Sequence, residues 1–210
     1  MRALLLCLLS LAACAEMRAP PAATRIPPGL GVVAADPMPA IMDEAAGALA
    51  GDGRGLAGRP GTTARAIGQA ELIAAEIRRD PRWAPMPSAV EAELRAARAE
   101  WRNALGIRAG AAPEAVSAAL GRAAVALGAN DTPRASAALD PTLFEPGGNV
   151  TLARLAAPGP LPQTAFAARA ARDEAGRLQA LQLSGPAAAL DPDAARSPIA
   201  IGESLNRPLR

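Results

Sequence analysis

The sequence predicts an all-α fold, an Ala-rich bundle of about five to seven helices on an extended N-terminal tether. Three observations carry that expectation. Half of the 210 residues are hydrophobic, yet aromatic residues make up only 2% and Tyr is absent. The deficit is filled by Ala, the strongest helix former, whose small side chain forces helix backbones close together in any core it builds. Strand formers are scarce and never alternate. Apolar residues recur instead at spacings of three and four, in segments punctuated by Pro and Gly.

Residues 14–38 carry Pro20, Pro21, Pro27, Pro28 and Pro37 with Gly29 and Gly31, and read as an extended tether. At ~3.1 Å per residue such a stretch reaches roughly 70 Å. The helical domain is expected over 39–183. Its first helix spans Ala40 to Leu49. The Gly51-Asp52-Gly53-Arg54-Gly55 run that follows lacks the Lys and Ser/Thr of a phosphate-binding loop and reads as a connector. A second helix, Thr63 to Arg79, has Ala66, Ala70, Ile73 and Ile77 on its apolar stripe and Arg65, Gln69, Glu76 and Arg79 opposite; Asp80-Pro81 stops it. The third opens at Ser88 with the spacing of a capping box to Glu91. Val90, Leu94, Ala97, Trp101 and Leu105 form its buried stripe, Glu91, Arg95, Arg98 and Arg102 its wet row, and Gly106 closes it.

A fourth helix starts at Pro113 and carries Val116, Leu120, Ala123 and Leu127. Short helices are expected from Thr132 to Leu139 and from Thr151 to Ala156, and a long one from Pro162 to Leu183. Residues 184–210, with Pro186, Pro192, Pro198 and Pro208, read as an irregular tail.

The charge pattern excludes more than it includes. All 22 basic residues are Arg, set against 20 acidic residues, for a net charge of +2. The two signs are interspersed, so a nucleic-acid partner is not expected. Without His, Tyr or Lys there is no imidazole relay, no His-ligated metal and no Schiff-base lysine. No cofactor, metal site or catalytic residue is expected. The carboxylate pairs that a hydrolase would need are Asp43 with Glu44, Glu91 with Glu93, Asp173 with Glu174, and Asp191 with Asp193. All four read as solvated surface or turn residues. Trp101 belongs to the core. Trp83 lies in a loop, where it either covers the end of the bundle or touches a partner. Arg95, Arg98 and Arg102 are candidates for contact with an anionic surface such as lipid headgroups or a peptidoglycan carboxylate, beside the plainer reading of a solvated face.

The first residues carry the most specific motif. Arg2 provides a basic start, Ala3 to Leu11 an apolar run too short to span a bilayer, and Leu11-Ala12-Ala13-Cys14 follows. This arrangement resembles the signal and lipobox of bacterial lipoproteins. The resemblance implies a diacylglyceryl group on the Cys14 thiol and cleavage between Ala13 and Cys14, so that residues 1–13 are a signal peptide. The new amine is usually acylated. Ala15 after the cysteine implies outer-membrane delivery, facing the periplasm. Cys7 leaves with the signal, so the mature chain has no partner for a disulfide. The body is similar to Ala- and Arg-rich lipoproteins of GC-rich Proteobacteria, a resemblance that carries no activity. The expected role is a non-catalytic structural, assembly or adaptor function through a protein partner in the envelope. The alternative is a small-molecule or lipid-binding module with an apolar pocket between helices.

Overall fold

Leu30, in the stretch expected to be free tether, is completely buried, and the way it is buried organises the fold. The computed structural model describes residues 25–183. Within them run α1 (Pro37–Ala48), a 3-10 turn (Arg54–Leu56), α2 (Pro60–Glu76), a second 3-10 turn (Pro81–Trp83), α3 (Ser88–Leu105), α4 (Pro113–Gly128), α5 (Thr132–Ala138), α6 (Gly148–Ala156) and α7 (Pro162–Leu183). The all-α expectation holds: among the described residues the one β-type contact is an isolated bridge between Ile107 and Phe144. The tail from 184 onward lies outside the described residues.

Local signals place most helix ends. Pro stands in the first turn of α1, α2, α4 and α5, where its missing N–H costs nothing. Asp36 accepts a hydrogen bond from the Met38 amide at 3.3 Å, which starts α1 three residues earlier than its apolar pattern suggested. Asp131 does the same for α5 through the Arg134 amide. The capping box expected at Ser88 is not formed. Pro87 precedes the first helical residue, and the Val90 amide bonds to the Pro87 carbonyl instead.

Helix α2 is the axis of the bundle, touching α1, α3, α4 and α6. Surrounded in this way, it has no wet face. Gln69 and Glu71 are fully buried and Glu76 nearly so, which corrects the expectation that Gln69 and Glu76 lie on a solvated side. Arg79 falls beyond the helix end and is exposed. Helix α3 keeps its predicted stripe: Val90, Leu94, Ala97, Trp101 and Leu105 are all buried, against α7 on one side and α2 on the other.

Small residues let α2 and α4 approach, and the chain entering from the N-terminus fills the groove above them. Gly29, with φ +85°, and Leu30 lie across Gly121 of α4 and Gly68 of α2. A Cβ on Gly121 would stand 2.3 Å from the Pro28 carbonyl oxygen, so only glycine allows this approach. The Gln69 amide nitrogen donates to the Leu30 carbonyl at 3.1 Å and the Arg65 guanidinium to the Gly31 carbonyl at 2.8 Å. Burying Leu30 contributes about 1.5–3 kcal/mol. The expected tether 14–38 is therefore corrected in its second half: residues 26–31 are a strap docked on the bundle. Pro and Gly forbid a helix there, but they do not forbid packing.

Candidate functional site: an arginine cleft over a buried carboxylate

The last three turns of α3 present Arg95, Arg98 and Arg102 at the spacings of three and four that put side chains on one helix face. The sequence pattern assigned that face to water. It is instead divided by a single carboxylate on α2. Glu71 is fully buried, and such a charge must be paired and hydrogen-bonded to be tolerated. Its Oε1 accepts from the Trp101 indole N–H at 2.9 Å and from Arg102 Nε at 2.7 Å. Its Oε2 accepts from Arg98 Nη2 at 2.6 Å and Nε at 3.1 Å, and from Arg102 Nη2 at 3.2 Å.

Arg102 is buried with it. Its remaining N–H groups donate to the carbonyls of Arg108, Ala109 and Ala111, so this one side chain holds the α3–α4 connection against the core. Arg98 uses only one edge on Glu71 and remains about a fifth exposed. Arg95 is exposed and makes no ion pair or hydrogen bond among the described residues.

Two further cations reach the same place from distant segments. Arg108, just past the end of α3, donates through Nε to the Pro141 carbonyl at 2.9 Å and lies 3.5 Å from Glu145. Arg154 of α6 crosses the C-terminal end of α3 and donates to the Glu145 carbonyl at 2.7 Å. Gly106 permits this: its φ of +70° ends the helix, and a Cβ there would meet the Arg154 guanidinium at 1.9 Å. The result is an open cleft of about 640 Å³, walled by Arg95, Arg98, Arg102, Arg108 and Arg154, with Asn103 beside them. Its one lining carboxylate is Glu145, whose side chain is about two-thirds exposed.

Other concavities differ in kind. A groove of about 740 Å³ at the start of α2 contains two arginines, Arg59 and Arg65, with Arg65 2.6 Å from Glu44. A hollow beside Ala74, Ile77 and Leu94 measures about 20 Å³, room for roughly one water. Near the cleft, Glu114 in the first turn of α4 is held below the usual carboxylate range. Its backbone hydrogen bond is the largest cause; burial opposes it next, and the hydrogen bond and charge of Arg79 with the charge of Arg98 add to the lowering.

The sequence-predicted residues thus separate. Arg95, Arg98 and Arg102 line one cleft, but only Arg95 and part of Arg98 face solvent. Trp83 is 4% exposed, with the Arg82 guanidinium 4.8 Å from its ring centre. Trp101 is core, as its stripe predicted, and also binds Glu71. Among the carboxylate candidates, Glu44 faces Arg65 and Gln69, Asp173 pairs with Arg172, and Glu174 pairs with Arg177. Asp191 and Asp193 lie outside the described residues, as do Ala13 and Cys14. Sequence reasoning missed Glu71, Arg108 and Arg154. Glu71 was visible in principle: it falls four residues after Ile67 and two before Ile73, a charge on an apolar side of a helix. Arg108 and Arg154 are 46 residues apart and leave no joint signal.

No protein family, no curated protein and no solved structure matches this chain.

Proposed function

We propose that the protein is a lipid-anchored lipoprotein of the bacterial cell envelope, held at the outer membrane facing the periplasm, which works by binding a partner rather than by catalysis. The observation that carries this reading is Leu11-Ala12-Ala13-Cys14 placed directly after a basic start and an apolar run. Each buried CH₂ of an attached acyl chain contributes ~0.8 kcal/mol, and two or three chains hold a protein firmly in a bilayer. Among the described residues no helix is long and apolar enough to cross a membrane, so in this reading attachment rests on the acyl chains.

In this reading the docked strap shortens the spacer behind the anchor: residues 15–25, at ~3.1 Å per residue, span at most roughly 34 Å. The body supports a binding role, because its concave surfaces are open and rimmed with arginine. The small-molecule alternative needs an apolar chamber between helices, and the hollow beside Ala74, Ile77 and Leu94 holds about one water.

Membrane fractionation of cells carrying Cys14→Ser tests the anchor. The wild-type chain is expected to stay with the membrane after a high-salt wash and the variant to leave it. Retention of the salt-washed variant, or an intact mass showing an unmodified Cys14 sulfur in native cells, overturns the reading. Crosslinking in cells followed by mass spectrometry identifies the partner.

A further inference from the structure

We propose that the arginine cleft at the end of α3 binds an anionic phosphate group. Five guanidinium groups, on Arg95, Arg98, Arg102, Arg108 and Arg154, surround it, against two carboxylates, Glu71 beneath and Glu145 at the rim. Arginines at a helix C-terminus are in part compensated by the helix dipole, but that supplies only about half a charge. An excess of more than two positive charges remains over one opening. A phosphate monoester carries about −1.5 to −2, which matches that excess better than a single carboxylate does.

The donors are also placed for it. Arg102 is spent internally, since every N–H of its guanidinium has a protein acceptor. Arg98 is not: Glu71 grips its Nε and Nη2 and leaves Nη1 uncommitted on a residue that lines the cleft. That grip fixes the side chain in advance, so little rotamer freedom is lost when a ligand arrives. Arg154 is likewise fixed across Gly106 by one bond to a carbonyl, with its other donors uncommitted. Arg95 has no partner at all among the described residues. Planar guanidinium forks of this kind suit phosphate oxygens, and small residues at Ala99, Gly106 and Ala109 leave the floor open to them. The site does not depend on the lipid anchor, and its test is made without the anchor.

The test uses the mature full-length chain carrying Cys14→Ser, titrated with inorganic phosphate and with glycerol 3-phosphate at constant ionic strength, by calorimetry and thermal shift. Both ligands are expected to bind and to raise the Tm, with chloride at matched ionic strength inactive. Arg95→Gln removes an exposed side chain with no hydrogen bond or ion pair among the described residues, and is expected to weaken binding about tenfold or more with an unchanged ligand-free Tm. Arg108→Gln serves as the second variant and is expected to act in the same direction. A second arm measures co-sedimentation with vesicles of phosphatidylcholine with or without phosphatidic acid, whose headgroup is a phosphate monoester. Arg95-dependent binding that requires phosphatidic acid, without binding of the soluble phosphates, identifies a lipid headgroup as the source, and binding only of the soluble phosphates identifies a soluble ester. Equal effects of chloride and phosphate, full binding by both variants, or no binding in either arm overturns the proposal.

Discussion

Replacing Glu71 with Gln removes one charge, keeps the volume, and tests whether the ion cluster under the cleft holds the fold together. Glu71 has no exposure, Arg102 keeps 11% of its side chain exposed, and Arg98 keeps 22%. Without the anion, Arg98 can swing outward and rehydrate. Arg102 cannot, because three loop carbonyls hold it inside. Breaking a buried pair by deleting one partner costs about 3–5 kcal/mol, mostly the penalty of the charge left behind. With a urea slope of about 2 kcal/mol per M, the unfolding midpoint followed by helical circular dichroism falls by roughly 1.5–2.5 M at unchanged slope. Arg98→Met is expected to cost less than Arg102→Met, since only Arg102 also supports the α3–α4 connection. Swapping the whole cluster for apolar residues, which is neutral or stabilising in some proteins, is not expected to succeed here. It strands the carbonyls of Arg108, Ala109 and Ala111, at about 1–3 kcal/mol for each one left buried and unpaired. A midpoint shift under about 0.5 M for Glu71→Gln, equivalent to roughly 1 kcal/mol, refutes the reasoning.

Two further outcomes follow from the packing and the charges. Gly121→Ala is expected to destabilise the protein by about 1–2 kcal/mol despite the better helix former, because the new Cβ meets the Pro28 backbone, which cannot move aside without undocking the strap. Hydrogen exchange at the Leu30 amide should speed up in that variant. Gly176→Ala in α7, where the added methyl meets only open space, should gain up to about 1 kcal/mol, and equal effects at the two sites would discredit the strap. For Glu114, the fold lowers the carboxyl pKa from its usual 4.5, so the folded state favours the ionised form. Its contribution is fully present above pH 4.5 and is lost as the pH falls through the lower folded value. Wild type and Glu114→Gln should therefore differ most in urea midpoint near neutral pH and converge in acid; a gap that widens on acidification contradicts the assignment.

Much of the architecture was legible along the chain because helix signals are local. The 3.6-residue period named the α3 stripe residue by residue, and Pro at first turns and Gly106 at a helix end bounded the elements. The misreadings share one cause. The hydrophobic pattern reports which face is apolar, and it treats every charge as a vote for water. In α2, Gln69 and Glu71 vote that way and are buried, because the Gln69 amide nitrogen and the Glu71 carboxylate find partners on Leu30, Arg98, Trp101 and Arg102 that are 27 to 39 residues away. The strap failed in the same manner, since Pro and Gly specify what its backbone cannot be and say nothing of what it packs against.

The amino-acid order alone determined the fold class: helices from an alanine-rich composition, their approximate limits, and a side-chain chemistry without imidazole, phenol or primary amine. Tertiary structure alone decided that Glu71 lies under Arg98 and Arg102, that Arg108 and Arg154 join them at one opening, and that the strap closes over α2 and α4. The physical reason is range. A helix is selected by bonds four residues apart, whereas pairing a buried charge requires groups from separate helices to meet within 3 Å, and that distance exists only after the chain has packed.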